Sequence, residues 1–397
     1  MPDLSQEDWR AGGFGLYIHW PFCQSKCPYC DFNSHVVASI DQPRWTRAFL
    51  SEIARVGVET EGRVLNSVFF GGGTPSLMDA ETVNAILEAV RATWPVANTV
   101  EVTLEANPTS IEAGRFADYA DTGVNRISMG AQALNDADLK ALGRLHSVKE
   151  ALDAFDIARR LFGRVSFDLI YARQDQTVAA WEAELKQALA LAVDHLSLYQ
   201  LTIEEGTAFG DRFAAGRLRG LPDEDRAADM WEVTQAVTAD AGFGAYEVSN
   251  HARPGAESLH NLIYWKSGDY AGIGPGAHGR MTVGGFRLAT EAPKAPTDWL
   301  LQVERSGTGE CVREALSPED RLAEFLMMGL RLTEGVSTER LAALAAPSPV
   351  APSNDDLYNN IKILEDIGML FSGDGALRVT TEGRPVLNAI LRKLLGA

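Results

Sequence analysis

Three of the four cysteines in this chain of 397 residues lie close together, as Cys23, Cys27 and Cys30. A loop with the spacing C-x3-C-x2-C can turn three thiolates toward one point, and thiolates bind iron–sulfur clusters and structural zinc. A four-iron cube held by three cysteines keeps one iron without a protein ligand. The spacing therefore predicts a metal centre at which a substrate or a small chelating molecule can bind.

Other uses of these cysteines stay open at this point. A zinc ion could take His19 or His35 as its fourth ligand, although zinc sites usually combine two C-x2-C units and the chain has one. A disulfide is less consistent with the sequence, because the chain is poor in cysteine and starts with acidic and polar residues rather than a secretory signal. A chance grouping of three cysteines is the remaining explanation.

The segment 15–33, with an aromatic residue directly before its third cysteine, resembles the cluster loop of the radical S-adenosylmethionine superfamily. The resemblance implies that the three cysteines bind a [4Fe–4S] cluster. It also implies that the amine and carboxylate of S-adenosylmethionine chelate the open iron. Tyr17, six residues before the first cysteine, matches a tyrosine that contacts this cofactor, and we extend the same role to Tyr29.

The elements that position this loop can be predicted from the hydrophobic pattern between residue 14 and about residue 200. Short β-rich runs predict strands at 15–20, 66–71, 99–105, 125–130, 165–170 and 195–201. Amphipathic stretches predict helices at 43–58, 79–93, 110–122, 147–162 and 177–192. This alternation predicts an α/β fold, either a partial (β/α)6 TIM-like barrel or a doubly wound sheet. In both folds the chemistry belongs at the carboxyl ends of the strands, where the cysteine loop lies.

The C-terminal part of the chain has a different pattern. After a helix predicted at 222–241, the chain from 247 to 285 is rich in turn residues. Short helices are then predicted at 317–333, 337–345, 354–367 and 382–395, with two strands around Gly373-Asp374-Gly375. This arrangement resembles a winged helix with a Pro-rich connector at 346–353. We divide the chain into a tail (1–13), a barrel (14–240), a linker region (241–309) and a mostly helical winged-helix-like domain (310–397).

Polar residues at the ends of the predicted strands extend the resemblance. In order and context they resemble the coproporphyrinogen oxidase-like branch of the superfamily, and the resemblance implies that they hold the ribose, adenine and carboxylate of S-adenosylmethionine; they are Glu105, Gln132, Arg144 and Asp168. The Gly-Gly-Thr-Pro element of the family matches Gly72, Gly73 and Thr74, which implies contacts to the amino group of the cofactor. One departure is residues 172–177, Ala-Arg-Gln-Asp-Gln-Thr, where the branch has a Gly-Leu-Pro-Gly-Gln-Thr-like turn.

Two features distinguish members of this branch. Porphyrinogen-oxidising members have a fourth cysteine where this chain has Phe32, and an N-terminal extension longer than the 22 residues found here. Residues 260–265, His-Asn-Leu-Ile-Tyr-Trp, resemble the His-Asn-x-x-Tyr-Trp element of the HemW-type heme chaperones. The resemblance implies a heme site built from His260, Asn261, Tyr264 and Trp265.

In that site a neutral imidazole of His260 could ligate the heme iron, with Asn261 orienting it. The rings of Tyr264 and Trp265 could pack on the porphyrin face. The other explanation is a structural turn whose aromatic rings belong to the core. Weaker candidates for an axial ligand are His251, His278 and Cys311.

The charge and the hydrophobic pattern argue against two classes of protein, those that bind nucleic acid non-specifically and those that span a membrane. The net charge of −18 argues against non-specific binding of nucleic acid, and no run of 18 apolar residues predicts a membrane span. The resemblance implies a cytoplasmic heme chaperone that carries a [4Fe–4S] cluster with exchangeable S-adenosylmethionine and passes heme to respiratory acceptor proteins. Peripheral association with a membrane stays open. The alternatives are an oxygen-independent coproporphyrinogen III dehydrogenase, an activity we do not expect, and a zinc-binding regulator with a winged helix.

Overall fold

The structure, a computed structural model, describes residues 7–346 and 355–396. All six strands predicted for the N-terminal half are present, each within three residues of its predicted bounds. Two short strands in the cysteine loop accompany them. The strands of this half are β1 Phe14–Trp20, β2 Phe22–Cys23, β3 His35–Val36, β4 Leu65–Gly72, β5 Val96–Ala106, β6 Arg126–Gln132, β7 Arg164–Tyr171 and β8 His195–Gln200.

The helices between these strands cover the outer face of the sheet. They are α1 Gln42–Glu59, α2 Ala80–Thr93, α3 Ser110–Ala113, α4 Phe116–Thr122, α5 Asp136–Ala141, α6 Val148–Leu161 and α7 Val178–Leu191. Helix α1 is typical, because Phe49, Ile53 and Val56 recur at helical spacing and are all buried. The single helix predicted over 110–122 was wrong in one respect: a turn at Gly114, a poor helix former, divides it into α3 and α4.

The six long strands pair in parallel in the order β1, β4, β5, β6, β7, β8. These strands follow one another in the sheet in the order in which they occur along the chain, whereas a doubly wound sheet reverses its order near the middle. Parallel strands wound in one direction curl into a barrel, and the space that they enclose is its lumen. The predicted partial (β/α)6 barrel is therefore confirmed over the doubly wound sheet.

The chain from 201 to 315 extends both edges of this barrel. Its elements are α8 Ala208–Ala214, α9 Glu224–Asp240, β9 Gly244–Ala245, β10 Asn250–Ala252, α10 Leu259–Trp265, β11 Asp269–Ile273, β12 His278–Val283, β13 Phe286–Glu291, α11 Pro296–Ser306 and β14 Val312–Ala315. Strand β10 pairs antiparallel with β8, and β11 pairs parallel with β1 on the opposite edge. The predicted boundaries at 240 and 309 stay predictions.

The C-terminal helices form a second apolar core around Phe325, Leu326 and Leu330. The elements are α12 Pro318–Gly329, β15 Val336–Ser337, α13 Thr338–Leu344, α14 Asp355–Asp366, β16 Leu370–Gly373, β17 Ala376–Val379 and α15 Leu387–Leu395. Strands β16 and β17 form the predicted hairpin, and β15 adds a third strand to this wing. The predicted connector at 346–353 lies, from 347 onward, outside the described residues. No helix in the described parts of the chain is long and apolar enough to cross a membrane.

The turn at 172–177, which departs from the family pattern, has a backbone conformation that normally favours glycine, although it contains no glycine. Ala172 and Asp175 both have a positive φ, of 59° and 57°, and they occupy the two positions at which the branch has glycine. The neighbouring Arg173 is buried and donates hydrogen bonds to Asp138 (2.8 Å) and Glu184 (2.6 Å). We infer that these ion pairs hold the strained turn in place.

Replacing Ala172 by glycine should therefore stabilise the protein. We expect Ala172→Gly to raise the free energy of unfolding by about 1 kcal/mol, because a left-handed backbone costs about that much for a residue with a Cβ. The matched control is Ala183→Gly, at an exposed position in the interior of α7, which should cost roughly 1 kcal/mol. Thermal unfolding followed by circular dichroism measures both. A lower midpoint for Ala172→Gly would contradict the strained turn.

Candidate functional site

The cysteine loop is fixed to the carboxyl ends of β1 and β4. The backbone N–H of Gly73 donates to the carbonyl oxygen of Trp20 (2.7 Å), and the N–H of Thr74 donates to that of Phe22 (2.8 Å). Within the loop, the N–H of Cys30 donates to the carbonyl oxygen of Cys27 (3.1 Å). The three cysteines thus begin at a rigid strand end, as their position in the sequence predicts.

Two side chains from other elements donate hydrogen bonds to the cysteine sulfurs. Thr74 Oγ1 lies 3.4 Å from Cys23 Sγ, and Arg144 Nη1 lies 3.4 Å from Cys27 Sγ. Burial raises the pKa of the Cys23 and Cys30 thiols. A bound cationic metal centre would offset this cost, and the two donors would stabilise the negative charge of its thiolates. The donor set therefore fits an iron–sulfur cluster.

The histidines that would complete a zinc site have other partners. Both ring nitrogens of His19 are used, one by the hydroxyl of Tyr17 (3.0 Å) and one by the carbonyl oxygen of Asn33 (2.9 Å). His35 Nε2 lies 3.2 Å from Asn33 Oδ1. Within residues 7–346 and 355–396, no three His, Cys, Asp or Glu side chains converge as for a single metal ion. Cysteines of a cube bind three different irons and need no such common point.

The glycines after β4 allow the backbone to pass directly over the cysteine loop. Gly72 has a φ of +110°, and a Cβ there would lie 2.6 Å from the His19 ring. A Cβ on Gly73 would lie 2.7 Å from the carbonyl oxygen of Phe22. Larger residues would displace the loop, so these glycines have a structural reason beyond the predicted cofactor contact. Their predicted role toward the cofactor stays a prediction.

Two of the predicted polar residues lie together at the mouth of the barrel: Gln132 ends β6, whereas Arg144 reaches the site from the turn between α5 and α6 and not from a strand end. Arg144 donates to the carbonyl oxygen of Gly130 (2.9 Å) and to Asn107 (2.6 Å), besides Cys27. Gln132 has a φ of +70°, and its amide reaches back over Gly130 toward the same guanidinium. A left-handed conformation in a residue with a side chain is a strain that is common at functional sites.

Inside the barrel, two carboxyl groups have altered acidity. Desolvation by burial raises the pKa of Glu105 to about 8, the charge of Asp168 adds to this, and the Gly72 N–H opposes it. Desolvation by burial also raises the pKa of Asp168 to about 6, although Ser197 and Arg126 oppose the shift. At neutral pH Glu105 can thus carry a proton and donate a hydrogen bond.

The raised pKa of Glu105 predicts how stability depends on pH. In the unfolded chain the carboxyl ionises near pH 4.5, whereas in the folded chain it resists ionisation until about pH 8. Its contribution to stability therefore falls as the pH rises between these values. Glu105→Gln should remove this loss, a gain on the order of 5 kcal/mol at pH 9. Unfolding midpoints from pH 5 to pH 9 measure it.

The control for this pH series is Glu88→Gln, an exposed glutamate on α2. It should follow the wild-type curve at every pH. A Glu105→Gln curve parallel to the wild type would show that Glu105 ionises normally in the folded protein. Some slope should remain in the variant, because Asp168 and Glu247 also have raised pKa values.

The two predicted tyrosines occupy different parts of the site. Tyr17 faces the lumen, where its ring lies 5.8 Å from His19 on one side and 6.1 Å from His260 on the other. Tyr29 lies in the cysteine loop itself, and its ring packs 6.4 Å from the ring of Phe209. The N–H of Phe209 donates to Pro28 (2.8 Å), so α8 supports the loop.

The predicted heme motif forms α10, which closes the floor of the lumen. His260 is 3% exposed, and its ring stacks on Phe69 at 4.7 Å. Its Nδ1 lies 2.8 Å from Ser67 Oγ, and its Nε2 lies 3.2 Å from the hydroxyl of Tyr264. Desolvation by burial and the charge of Arg126 lower the pKa of His260 to about 3. The imidazole is therefore neutral, as a metal ligand must be.

Two of the other residues of the motif, Asn261 and Trp265, have neighbours of their own. Asn261 Nδ2 lies 3.4 Å from the hydroxyl of Tyr246. The indole of Trp265 lies 5.8 Å from the guanidinium of Arg331, between the barrel and the C-terminal helices. Tyr264 stays beside His260 and packs on Tyr270 with ring centres 4.0 Å apart. The structure thus brings Tyr264 and His260 together but separates them from Trp265.

The weaker axial candidates lie outside the lumen. Asn250 on β10 pairs with Ser197 on β8, and this pair faces the lumen. His251 is the next residue and pairs with Leu196, so its side chain points to the opposite face of the sheet. His278 is exposed and lies 3.7 Å from Glu291. Cys311 is exposed beside β14, the outermost strand of that edge of the sheet. None of these three lies beside the aromatic rings that surround His260.

Two residues of the site were missed from the sequence. Asn107 links Arg144 to Thr74, at 2.6 Å and 3.2 Å. It follows Glu105 by two residues in the same strand end, and the period of two along a strand could have identified it. Glu101 accepts hydrogen bonds from the backbone N–H of His260 and from Ser258 at the start of α10. No local signal connects Glu101 with a helix that begins 158 residues later.

Known proteins match this arrangement over nearly the whole chain. The model of the radical SAM superfamily matches residues 17–188, and that of the HemN C-terminal domain matches residues 316–386. Over 390 residues the chain is 36% identical to the heme chaperone HemW of Escherichia coli (strain K12), covering 96% of this chain and 97% of that protein. It is 41% identical over 388 residues to the mitochondrial radical S-adenosyl methionine domain-containing protein 1 of Bos taurus, covering 96% and 87%.

A solved structure shows the same fold. The coproporphyrinogen III oxidase HemN from Escherichia coli, described as a radical SAM enzyme, matches with a TM-score of 0.80. The match covers 98% of this chain and 92% of that one, at 20% sequence identity. At this identity the likeness concerns the fold alone.

Proposed function

Because the chain belongs to the family of HemW-type proteins within the radical S-adenosylmethionine superfamily, we propose that it is a heme chaperone that binds heme and passes it to an acceptor protein. The observation that carries the proposal is the position of His260. A neutral imidazole lies in the floor of the lumen, between aromatic rings, with one nitrogen held by Ser67.

The hydrogen bonds of His260 suit a ligand that is oriented before it binds iron. If Nδ1–H donates to Ser67, the lone pair of Nε2 points to the hydroxyl of Tyr264. That second contact is the longer of the two, so Nε2 is the nitrogen that heme iron would take over. Ser67 would keep the ring in place during the exchange.

The family implies a [4Fe–4S] cluster and S-adenosylmethionine, and the mouth of the barrel supports both. We propose that Cys23, Cys27 and Cys30 hold the cluster, whose fourth iron would offer a binding position to S-adenosylmethionine. The cofactor would contact the residues named from the sequence: Tyr17, Tyr29, Gly72, Gly73, Thr74, Glu105, Gln132, Arg144 and Asp168. Thr74 and Arg144 support this, because each donates to a cysteine sulfur.

The cellular setting stays part of the proposal. We propose that the protein works in the cytoplasm and that its acceptors are respiratory proteins, with peripheral contact to the membrane that holds them. The C-terminal winged-helix-like domain would serve in docking rather than in binding nucleic acid, since the chain carries a net charge of −18.

An anaerobic assay tests this proposal against the alternative, a coproporphyrinogen III dehydrogenase. The reconstituted protein is titrated with hemin and, separately, incubated with coproporphyrinogen III, S-adenosylmethionine and a reductant. We expect a saturable Soret shift with hemin and no protoporphyrinogen, because Phe32 replaces the fourth cysteine of the oxidising members. Formation of protoporphyrinogen without hemin binding would establish the alternative.

A further inference from the structure

The lumen contains a buried guanidinium whose carboxylate partner, Glu101, lies beyond hydrogen-bond distance, at 3.9 Å. Arg126, the first residue of β6, is 3% exposed. Its Nη groups donate to two neutral hydroxyls, those of Ser166 (3.0 Å) and Thr103 (3.4 Å). Among the described residues its Nε has no hydrogen-bond partner. A buried cation normally has a carboxylate at hydrogen-bond distance, because desolvation of an unpaired charge is costly.

The nearest carboxylate is committed elsewhere. Glu101 Oε2 lies 3.9 Å from Arg126 Nε but 2.6 Å from Arg164 Nη1. Its other oxygen accepts from Ser258 (3.2 Å) and from the backbone N–H of His260 (3.3 Å). Glu101 therefore anchors Arg164 and the start of α10, whereas Arg126 keeps unused hydrogen-bonding capacity toward an anion.

The strand register places Arg126 in the same layer as the aromatic wall of the lumen. Paired residues run across the sheet from Tyr17 to Phe69, then to Thr103, and then to Arg126. His260 stacks on Phe69. Two strand spacings, roughly 10 Å, separate Phe69 from Arg126. That is comparable with the span from the centre of a porphyrin to the carboxylates of its propionate side chains.

We propose that Arg126 binds a propionate of the heme whose iron is held at His260, and so sets the orientation of the ring in the lumen. This inference rests on the proposed function. In this arrangement the polar side of the lumen, at Arg126 and Thr103, would bind the carboxylates of heme. The aromatic side, at Tyr17 and Phe69, would pack against the porphyrin ring. A guanidinium suits this task because it forms two parallel hydrogen bonds with a carboxylate.

The test compares hemin with hemin dimethyl ester, in which both propionates are neutral. Each is titrated into the full chain under the same solvent conditions, and the Soret shift gives the dissociation constant. We expect the wild-type protein to bind the ester about tenfold or more weakly than hemin, the usual worth of a charge-assisted hydrogen bond. This comparison uses the native protein and needs no variant.

Variants locate the effect at Arg126. Arg126→Gln keeps hydrogen-bonding groups near Thr103 and Ser166 but removes the charge, so it should bind hemin and the ester equally to within about twofold. Arg126→Lys should retain part of the discrimination. The control is Arg44→Gln, which breaks a two-pronged pair with Glu304 on the exposed face of α1. It should discriminate as the wild type does.

The outcomes separate the inference from the function on which it rests. If the wild type binds hemin and its ester equally well, or if Arg126→Gln still discriminates fully, Arg126 does not bind a propionate, although the heme proposal stands. If the wild type binds neither compound, the heme proposal itself is wrong. Loss of S-adenosylmethionine binding by Arg126→Gln, with discrimination unchanged, would place Arg126 in the cofactor site instead.

Discussion

Replacing Cys30 by alanine is expected to abolish the iron–sulfur cluster and to leave the binding of hemin largely intact. After anaerobic reconstitution, the wild type should contain about four irons per chain and absorb broadly in the visible region, and Cys30→Ala should lose nearly all of both. Two remaining thiolates are too few to hold the cube. Hemin should still bind, because His260 lies at the floor of the barrel and the cysteine loop lies at its mouth.

The chain supplies a matched control for this experiment. Cys311 is a free, exposed cysteine on the far edge of the sheet, so Cys311→Ala should keep the full iron content and absorbance. If Cys30→Ala lost hemin binding as strongly as it lost iron, the two sites would not be separable. A zinc content of one per chain in the wild type, with no visible absorbance, would favour the zinc-binding regulator.

His260→Ala is expected to have the opposite pattern, with the cluster retained and hemin affinity lowered. We expect a loss of roughly a hundredfold, because even the outer partners of a metal ligand are worth about tenfold to a hundredfold in affinity. The change also removes a buried ring between Phe69 and Tyr264, which should cost about 2 to 4 kcal/mol of stability. The hemin titration is therefore combined with thermal unfolding and iron analysis of the same sample.

Two further variants distinguish ligation from packing at this position. Ser67→Ala keeps the imidazole and removes its Nδ1 partner, so hemin should bind with a loss of about tenfold. His278→Ala, at an exposed position, should bind hemin as the wild type does. Unchanged binding by His260→Ala would move the ligand elsewhere, and a loss with His278→Ala would identify that residue instead.

The sequence by itself determined the α/β alternation, because apolar periodicity and capping residues are local properties. It also predicted a metal centre at the cysteine loop, because three cysteines on one short segment remain together in any fold. Glu105 and Asp168, both on predicted strands, could be assigned to one site, since the carboxyl ends of parallel strands meet at one edge. Arg144 reaches that site from the turn between α5 and α6, which strand geometry alone does not predict. These inferences depend on spacing along the chain and on the general geometry of parallel sheets.

Only the tertiary structure decided how α10 relates to the barrel. The motif 260–265 could have formed a surface pocket or a core turn, and its sequence does not distinguish them. Its place was set by Glu101 and Ser67, which lie more than 150 residues earlier and meet it through the curvature of the sheet. The sequence also cannot show that the guanidinium of Arg126 keeps an N–H without a hydrogen-bond partner among the described residues. Whether a buried charge is already paired depends on the positions of all its neighbours, and folding alone fixes those positions.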